Sequence, residues 1–366
     1  MTKLATDRKI YLDAPQVGEL EKKYLIAAID SGYVSTLGSF VVQFENELAE
    51  LLRVTRSVCV QSGTAGLYMS LRELGIGPGD EVIVPVLTFV ASVNPIVYMG
   101  AIPVFVDVDP LTWNMDPEQV KKAVTKKTKA ILPVHLYGNP CAMDEIMAIA
   151  EEKGLKIVED ATESLGARFK GQYTGTFGDF GCFSFNGNKI ITTGGGGLIV
   201  GKNENDLEHI HFLINQAKSG EDHPEIGFNY RMTNLEAAIG LAQFEQFTDF
   251  LNKKKMIHKI YEEELGLDFQ KACPQADSSC WLTCVLLPEN ISAARCLEEL
   301  SRRQIPVRRI FKPVVEHAPY SNHKNRKFPN AYSIYERGLC LPSSTLNSVD
   351  DIRYAASVFK EVIKHG

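Results

Sequence analysis

A single lysine, Lys189, stands between an aromatic run and four consecutive glycines in the segment FSFNGNKIITTGGGG, residues 183–197. A lone lysine is usually a solvated charge, but a surface lysine gains nothing from such neighbours. The glycines Gly194 to Gly197 would let the backbone pass close to a bulky planar group or to a neighbouring subunit. Glycine runs also occur in flexible loops and nucleotide-binding loops, yet the GxxxxGKS/T spacing is absent and this lysine precedes its glycines. The segment therefore predicts a reactive amine in a closely packed site.

An anion site is predicted at QSGTAGLYMSL, residues 61–71, where a strand is followed by Ser-Gly-Thr and then a helix. Free N–H groups and the positive end of the helix dipole meet at such a turn. Ser62, Gly63 and Thr64 would then surround a phosphate. An ordinary helix N-cap explains the same residues, since Ser and Thr are favoured there.

A carboxylate, Asp160, ends the apolar run KIVED. In α/β proteins the carboxyl ends of parallel strands face the crevice that binds ligands, although a helix cap or a turn would also use an aspartate. Glu159 should point to the opposite face, because side chains alternate along a strand. Together the three features fit one chemistry: a Schiff-base lysine holds an aldehyde cofactor, a helix N-terminus anchors its phosphate, and an aspartate keeps its ring nitrogen protonated.

The elements that position these residues alternate between short apolar runs and amphipathic helical segments. The predicted strands are SVCV (57–60), EVIVP (81–85), PVFVDV (103–108), AILPVH (130–135) and KIVED (156–160). Strands without polar alternation, separated by helices, indicate a mainly parallel sheet covered on both faces. GCFSF (181–185) and GLIV (197–200) are joined by the glycine-rich link and are predicted to pair locally.

The pattern changes near residue 235, where one long helix is predicted to run to about residue 265 and to connect two domains. It is followed by strand-like CWLTCVLL (280–287), a helix around AARCLEELSRR, strand-like PVRRIF and a final helix over 349–364. We therefore predict an α/β fold with a large domain, residues 1–245, and a smaller C-terminal α+β domain, residues 246–366.

Composition excludes several classes of protein. The 366 residues carry a net charge of −6, which argues against a nucleic-acid binder. The eight cysteines form no CxxC pair and predict buried thiols in a reducing compartment, so no metal site is expected. The N-terminus lacks an apolar signal region and no apolar run approaches the ~20 residues of a membrane span. A cytoplasmic protein without a membrane partner is expected.

In the sequences and the order of its motifs, the chain resembles the DegT/DnrJ/StrS sugar-aminotransferase family, within the aspartate-aminotransferase (type I) fold of pyridoxal-phosphate (PLP) enzymes. The matching motifs are GYVSTLGSFVVQFE, QSGTAGL, PVLTFVASVNP, VFVDVDP, PVHLYGNP, VEDATESLGA, FSFNGNKIITTGGGG, GFNYRMTNLEAAIGLAQ and LCLPSS. Each motif alone is modest evidence, whereas the ordered set is specific and covers nearly the whole chain.

The resemblance implies a role for each matching position. Lys189 would be the Schiff-base lysine and proton shuttle, and Asp160 would pair with the pyridinium nitrogen. Glu163 occupies the position that contacts the phenolic oxygen of the cofactor, where many relatives have Gln or His. The remaining implied cofactor contacts are Phe89 on the ring face, Gly63, Thr64 and Ser184 at the phosphate, and Asn229 reaching the phosphate of a neighbouring subunit. The last contact implies a homodimer with shared active sites.

Substrate contacts are less specific. The resemblance places Ser35 and Thr36, in GYVSTLGSFVVQFE, near the substrate. His135 lies at a predicted strand end and would either approach the site or be a structural histidine. Arg308, Arg309 and Lys312, in PVRRIFKP, would either meet a nucleotide diphosphate or form a solvated charge cluster.

The implied reaction is a transamination in the synthesis of a bacterial surface amino sugar. L-Glutamate would convert PLP to pyridoxamine phosphate, which would then aminate a nucleotide-linked keto sugar. The motifs look closest to the branch that aminates C4 of UDP-linked 4-keto-6-deoxy-N-acetyl hexoses, as on routes to legionaminic acid. GDP-4-keto-6-deoxymannose, on the route to perosamine, and dTDP-keto sugars are alternatives. A PLP-dependent sugar dehydratase and a non-catalytic regulatory homologue are two further hypotheses, against which Lys189 argues.

Overall fold

A computed structural model describes residues 8–323 and 327–364. Over these residues the chain forms twelve α-helices and fourteen β-strands. The helices are α1 (Glu19–Asp30), α2 (Ser39–Leu52), α3 (Gly63–Glu73), α4 (Asn94–Tyr98), α5 (Pro117–Ala123), α6 (Met143–Lys153), α7 (Glu204–Ile214), α8 (Asn234–Glu245), α9 (Phe247–Leu265), α10 (Ala293–Arg302), α11 (Pro329–Arg337) and α12 (Val349–Lys364). The strands are β1 (Ser57–Val60), β2 (Glu81–Pro85), β3 (Ile102–Val106), β4 (Thr128–Ile131), β5 (Lys156–Asp160), β6 (Arg168–Phe169), β7 (Gln172–Tyr173), β8 (Phe180–Ser184), β9 (Gly197–Gly201), β10 (Asp268–Phe269), β11 (Ala276–Asp277), β12 (Cys284–Leu286), β13 (Arg308–Arg309) and β14 (Gly338–Cys340).

A seven-stranded sheet forms the centre of the large domain, in the order β1-β9-β8-β5-β4-β2-β3. Its strands are almost wholly buried, as the apolar runs predicted. All pairings are parallel except those of β9, which runs antiparallel to both β1 and β8. The predictions of a mainly parallel sheet and of local pairing between the two glycine-linked runs are therefore confirmed.

The candidate residues lie at the carboxyl ends of the strands of this sheet. Because β9 is antiparallel to both of its neighbours, β1 and β8 point the same way as β5. Their carboxyl ends therefore lie at the same edge, where β1 leads into α3, β5 ends at Asp160 and β8 ends at Ser184. This is the edge at which open α/β sheets bind ligands.

A four-stranded antiparallel sheet, in the order β10-β12-β14-β13, forms the smaller domain with α10 and α12. A second hydrophobic core unites this sheet with the end of α9 through Ile257 and Tyr261, and it also includes Ile10 from the N-terminal segment. Phe247 and Phe250, at the start of α9, belong to the main core. The change from one core to the other thus occurs inside α9.

Some element boundaries differ from those predicted. The long connecting helix is two helices, α8 and α9, separated at Gln246, whose side-chain amide donates to Glu21 of α1. Strand β4 ends at Ile131, two residues before Pro133, which has no N–H group to donate to the sheet. All eight cysteines are free. No helix in the described part of the chain combines the length and apolar character needed to cross a membrane.

Candidate active site

A cavity of about 460 Å³ at the carboxyl edge of the central sheet brings most of the predicted residues together. Lys189 and Asp160, which are 29 positions apart in the sequence, both line it. The lining residues are Ser62, Gly63, Thr64, Leu67, Phe89, Ala91, Ser92, Asp160, Thr162, Glu163, Ser184, Asn186, Asn188, Lys189, Gly195, Gly196, Trp281, Arg308 and Phe311. The cavity therefore draws on both domains, because Trp281, Arg308 and Phe311 come from the C-terminal part of the chain.

The N-terminus of α3 forms one end of the cavity. Ser62 caps the helix by accepting a hydrogen bond from Ala65 N at 3.1 Å. The N–H groups of Gly63 and Thr64 precede the first helical hydrogen bond and so are available to an anion. A side chain at Gly63 would place its Cβ 2.7 Å from Thr162 Cγ2, so only glycine allows this close approach. The segment is therefore a capped helix start that also faces the cavity.

Asp160 is held in place by two donors. Ser92 Oγ donates to Asp160 Oδ2 at 2.6 Å, and Thr162 N donates to Oδ1 at 3.1 Å. Thr88 and Ser92 share a further hydroxyl hydrogen bond of 2.8 Å, which fixes the direction of the Ser92 donor. Asp160 is only 2% exposed and has no cation within salt-bridge distance in the described part of the protein. A positively charged group on a ligand would satisfy it.

Glu163 is a second buried carboxyl group in the cavity wall. Its Oε2 accepts a hydrogen bond from Tyr137 N at 2.7 Å. Burial raises the pKa of Glu163 to about 7, while the nearby Lys189 opposes that rise. Near neutral pH this group therefore exists in both protonation states, so it can accept or donate a hydrogen bond.

Lys189 is enclosed by protein but open to the cavity. Its Nζ lies 4.0 Å from the centre of the Trp281 ring, a cation–π distance. Trp281 is fixed in turn because its Nε1 donates to Asn188 O at 2.7 Å. Burial lowers the pKa of Lys189, and the carboxyl groups of Glu163 and Asp160 act in the opposite direction. A lysine with a lowered pKa supplies a neutral amine, the form that acts as nucleophile and base.

Phe89 and Ser184 also line the cavity, as the resemblance implied. Phe89 is 52% exposed, and its ring lies 5.5 Å from that of Phe311. Ser184 ends β8, and its Oγ accepts a hydrogen bond from Asn186 N at 3.3 Å. An aromatic face and a hydroxyl group are thus both available to a bound planar phosphate ester.

The glycine run has an explanation within the single chain. Gly195 and Gly196 line the cavity, and Gly196 has a φ of +107°, in the region that favours glycine. A Cβ on Gly197 would lie 2.6 Å from the carbonyl carbon of Ser62. The run therefore allows the backbone to pass close to the start of α3, so Gly197 requires neither a ligand nor a neighbouring subunit to explain it.

His135 does not line the cavity and is a structural residue. Its Nδ1 accepts from Cys141 N at 3.1 Å, so the ring proton is on Nε2, which donates to Glu159 Oε2 at 3.0 Å. Glu159 also accepts from the N–H groups of Gly175, Phe177 and Gly178. The predicted alternation along β5 is correct, since Glu159 and Asp160 serve opposite faces, but the prediction of a substrate contact for His135 is not supported.

Arg308 and Arg309 point in opposite directions because they are neighbours on β13. Arg308 reaches the cavity and forms an ion pair of 3.2 Å with Asp13. Arg309 instead stacks on Tyr335, with 4.5 Å between guanidinium and ring centre, and donates to the Tyr335 carbonyl group. The prediction is therefore corrected for Arg309, and Lys312 is also absent from the cavity lining.

Three predicted residues lie on the surface and outside this cavity. Ser35 and Asn229 are exposed, and Thr36 is partly buried. Asn229 pairs with Asn215 through an isolated β-bridge that holds its loop against the end of α7. Within one chain these residues contribute nothing to the cavity, so their predicted roles require a second subunit.

Among the cavity residues that sequence reasoning missed are Ser92, Asn188, Trp281 and Phe311. Ser92 and Asn188 stand inside motifs that were already recognised, so their positions were a usable signal. Trp281 and Phe311 follow Lys189 by 92 and 122 positions, and no local pattern links them to it.

The arrangement fits a planar aldehyde that carries a phosphate and a basic ring nitrogen. Donors for the phosphate lie at the start of α3, an amine lies at Lys189, and a buried carboxyl group lies at Asp160. Over the described residues no group of three or more His, Cys, Asp or Glu side chains is arranged to hold a metal ion. The phosphate donors, the amine and the carboxyl group together fit a covalently held organic cofactor.

Comparisons with known proteins match this chain to an aminotransferase family. Residues 15–360 match the model of the DegT/DnrJ/EryC1/StrS aminotransferase family. A GDP-perosamine synthase of Escherichia coli O157:H7 is 39% identical over 352 residues, which are 95% of this chain and 96% of that protein. A UDP-N-acetyl-3-dehydro-alpha-D-glucosamine 3-aminotransferase of Acidithiobacillus ferrooxidans is 34% identical and covers 90% of each chain. The putative sugar aminotransferase Spr1654 of Streptococcus pneumoniae, in its PLP form, superposes with a TM-score of 0.93 at 29% identity, over 98% of this chain and 99% of that one.

Proposed function

Because the chain belongs to the DegT/DnrJ/EryC1/StrS aminotransferase family, we propose that it transfers an amino group from L-glutamate to the keto carbon of a nucleotide-linked 4-keto-6-deoxy sugar. The family, the aminotransferase activity and the dependence on PLP agree with the sequence-based predictions. The amino donor and the identity of the sugar are the proposed part. The observation that carries the proposal is that the Lys189 amine, the Asp160 carboxylate and the start of α3 line one cavity.

When bound, PLP supplies an aldehyde and a ring that withdraws electrons from the reacting carbon. Lys189 carries the one amine among the described lining residues and would hold the cofactor covalently. Asp160 would pair with the ring nitrogen and keep it protonated, since its two hydrogen bonds already fix the carboxylate. Phe89 would cover one face of the ring.

Lys189 also has the properties of a base. Burial lowers its pKa and so favours the neutral amine, the form that would take a proton from the carbon of the amino donor. The Trp281 ring restricts the side chain on one side, so the amine is directed into the cavity. Lys189 would move that proton between the substrate carbon and the adjacent carbon of the cofactor.

The phosphate would be bound by Gly63, Thr64 and Ser184, with Asn229 supplied by a partner subunit. This partner contact is part of a proposed homodimer. It is supported by the exposure of Asn229 and by large exposed apolar side chains on α1, α2 and the loop between them, of which Leu37 is 66% exposed. Such apolar groups on one region of a monomer are typical of a protein interface.

Two sugar nucleotides are candidates. The motif pattern favours a UDP-linked 4-keto-6-deoxy-N-acetyl hexose, whereas the GDP-perosamine synthases of Escherichia coli, Caulobacter vibrioides and Vibrio cholerae, at 36–40% identity, favour GDP-4-keto-6-deoxymannose. Arg308 is the cation in the cavity that suits a diphosphate or a carboxylate. The two sugars differ at C2, where the N-acetyl group of the first replaces a hydroxyl group of the second.

The test combines a spectrum with a substrate panel. Protein saturated with PLP should absorb at about 420 nm, and L-glutamate should shift this band to about 330 nm. A panel of UDP-, GDP- and dTDP-linked keto sugars should then yield one preferred aminated product, identified by mass spectrometry and NMR. The variant Lys189→Ala should keep its circular dichroism spectrum but lose turnover by at least about a thousandfold.

Each negative outcome of these tests would point to a different conclusion. Normal turnover by Lys189→Ala would remove the lysine from its proposed role. A band that ignores glutamate but responds to a sugar nucleotide would favour the dehydratase hypothesis. Absence of any band after addition of PLP would favour the non-catalytic homologue.

A further inference from the structure

A segment near the N-terminus, residues 10–14, binds to the C-terminal part of the chain. Ser343 N donates to Leu12 O at 2.6 Å, and Ser344 Oγ donates to Ala14 O at 2.6 Å. Tyr11 exchanges two hydrogen bonds, of 2.9 and 2.7 Å, with the side chain of Asn347. These contacts fix the backbone on both sides of Asp13.

Asp13 connects two residues of the cavity although it does not line the cavity itself. Asn188 Nδ2 donates to Asp13 Oδ2 at 2.9 Å, and Arg308 Nη1 lies 3.2 Å from the same oxygen. Asn188 directly precedes Lys189, whereas Arg308 is contributed by β13 of the smaller domain. One carboxylate thus joins the loop of the reactive lysine to the guanidinium group that faces the substrate.

The ion pair is sheltered enough to orient Arg308. The side chains of Asp13 and Arg308 are 17% and 34% exposed, so the pair is partly screened by water yet is not a fully solvated surface pair. A guanidinium group has five N–H donors in a fixed plane, so holding one edge fixes the direction of the others. Nη1 of Arg308 faces Asp13, and the thiol of Cys340 is a second hydrogen-bond partner of the guanidinium group. Asp13 and Cys340 thus hold this group, and its remaining N–H donors can meet an anionic group in the cavity.

We infer that Asp13 is a positioning residue of the active site, which fixes the guanidinium group of Arg308 relative to Lys189 for recognition of an anionic substrate group. The inference rests on the proposed function. That group is either the carboxylate of the amino donor or the diphosphate of the sugar nucleotide, because both have the oxygen geometry that arginine binds.

The variant Asp13→Asn keeps the size of the side chain and one acceptor oxygen but removes the charge. We expect its apparent affinity for L-glutamate, for the sugar nucleotide or for both to fall about tenfold, a coupling typical of neighbouring residues. Affinity for glutamate is measured from the shift of the band at about 420 nm, and the KM of the sugar nucleotide from steady-state kinetics. The substrate whose affinity falls identifies the anion.

Arg8→Gln is the matched control. Arg8 lies shortly before residues 10–14 and forms an ion pair of 3.1 Å with Asp351, and neither of these two residues lines the cavity. This variant should leave both affinities unchanged. The double variant Asp13→Asn/Arg308→Gln should bind no more weakly than Arg308→Gln alone, since Asp13 acts through the arginine. A purely structural role would instead lower the melting temperature and add its effect to that of Arg308→Gln.

Unchanged affinities for both substrates in Asp13→Asn, or additive losses in the double variant, would overturn the inference. Asp13→Glu is measured in parallel, because it keeps the charge. It should keep most of the affinity that Asp13→Asn loses, and a glutamate variant that binds as weakly as the asparagine variant would count against the ion pair with Arg308. These results concern the inference alone. A wild-type protein whose band does not respond to any amino donor would reject the proposed function itself.

Discussion

Glu163 is the residue whose environment distinguishes this active site at the atomic scale. It is buried next to Lys189 and accepts a hydrogen bond from the backbone of Tyr137. The family resemblance implies Gln or His at this position in many relatives, and neither of these side chains carries a negative charge. A glutamate here gives the cavity a group whose charge changes within the physiological pH range, since its pKa is about 7.

Glu163→Gln should change the pH dependence of stability in the cofactor-free protein. Between the ordinary pKa of 4.5 and the raised value of about 7, the folded carboxyl group keeps a proton that the unfolded chain has lost. Raising the pH through this window therefore destabilises the folded state, by up to about 3 kcal/mol. Glutamine removes this contribution and can still accept from Tyr137 N. Urea unfolding at several values between about pH 5 and pH 8 measures the difference.

The exposed residue Glu151 provides the control, and Glu151→Gln should leave the slope against pH unchanged. Parallel curves for wild type and Glu163→Gln would mean that Glu163 titrates at its ordinary pKa.

Single residues could be predicted where the adjacent sequence is enough to indicate their chemistry. Lys189 beside its glycines and Asp160 at a strand end could both be proposed from a few neighbouring letters. Trp281 and Asp13 could not, because their contacts with the Lys189 loop depend on the tertiary fold. Arg309 was wrongly included because a pair of arginines in sequence does not reveal which of them faces the cavity.

The last two residues of β5 carry carboxyl groups that face opposite sides of the strand. Glu159 faces away from the cavity and accepts four hydrogen bonds, one from a histidine ring and three from backbone N–H groups. Asp160, the next residue, faces the cavity with two donors. The two-residue period of a strand places these carboxylates in different environments.

Glu159→Gln should therefore lower mainly the free energy of unfolding, whereas Asp160→Asn should lower mainly the turnover. In Glu159→Gln the new side-chain amide nitrogen would face two of the donors that now point at a carboxylate oxygen, and we expect a loss of about 3 kcal/mol in the free energy of unfolding. Asp160→Asn should stay within about 1 kcal/mol of wild type, because Ser92 can turn its hydroxyl group, but its turnover should fall about a hundredfold or more. Chemical denaturation and steady-state assays on both variants test this. Equal losses of stability would refute the division between the two faces.

Elements were predicted better than their ends. The apolar runs of the central sheet and the final helix α12 follow from composition and period alone. The division of the long connector into α8 and α9 was missed, because no proline or glycine marks the break at Gln246, and the contact of Gln246 with Glu21 of α1 depends on the tertiary fold.

At the scale of the whole molecule, the proposed dimer would bring Asn229 of the partner subunit to the cavity of each chain. Asn229 is exposed and does not reach the cavity of its own subunit. If Asn229 serves the partner's cavity, each complete site contains Lys189 from one chain and Asn229 from the other. Two inactive variants can then complement each other.

Lys189→Ala and Asn229→Ala should each be impaired alone. After denaturation and refolding of an equal mixture, half of the dimers are hybrids, and each hybrid contains one wild-type site. Activity should then recover to about a quarter of the wild-type value. A mixture no more active than the average of its separate components would place Asn229 in its own subunit or outside the site. Size-exclusion chromatography on the mixture verifies that dimers have formed.

Residues 10–14 have a consequence for protein engineering. Ile10 packs in the core of the smaller domain, and Tyr11 and Leu12 are bonded to residues 343–347, although they lie near the N-terminus of the sequence. A chimera made by grafting the C-terminal part of a relative at a junction in α9 would leave this segment next to a C-terminal part from the other protein. Grafts that transfer residues 8–14 together with the C-terminal part should therefore express and bind PLP better than single-junction grafts.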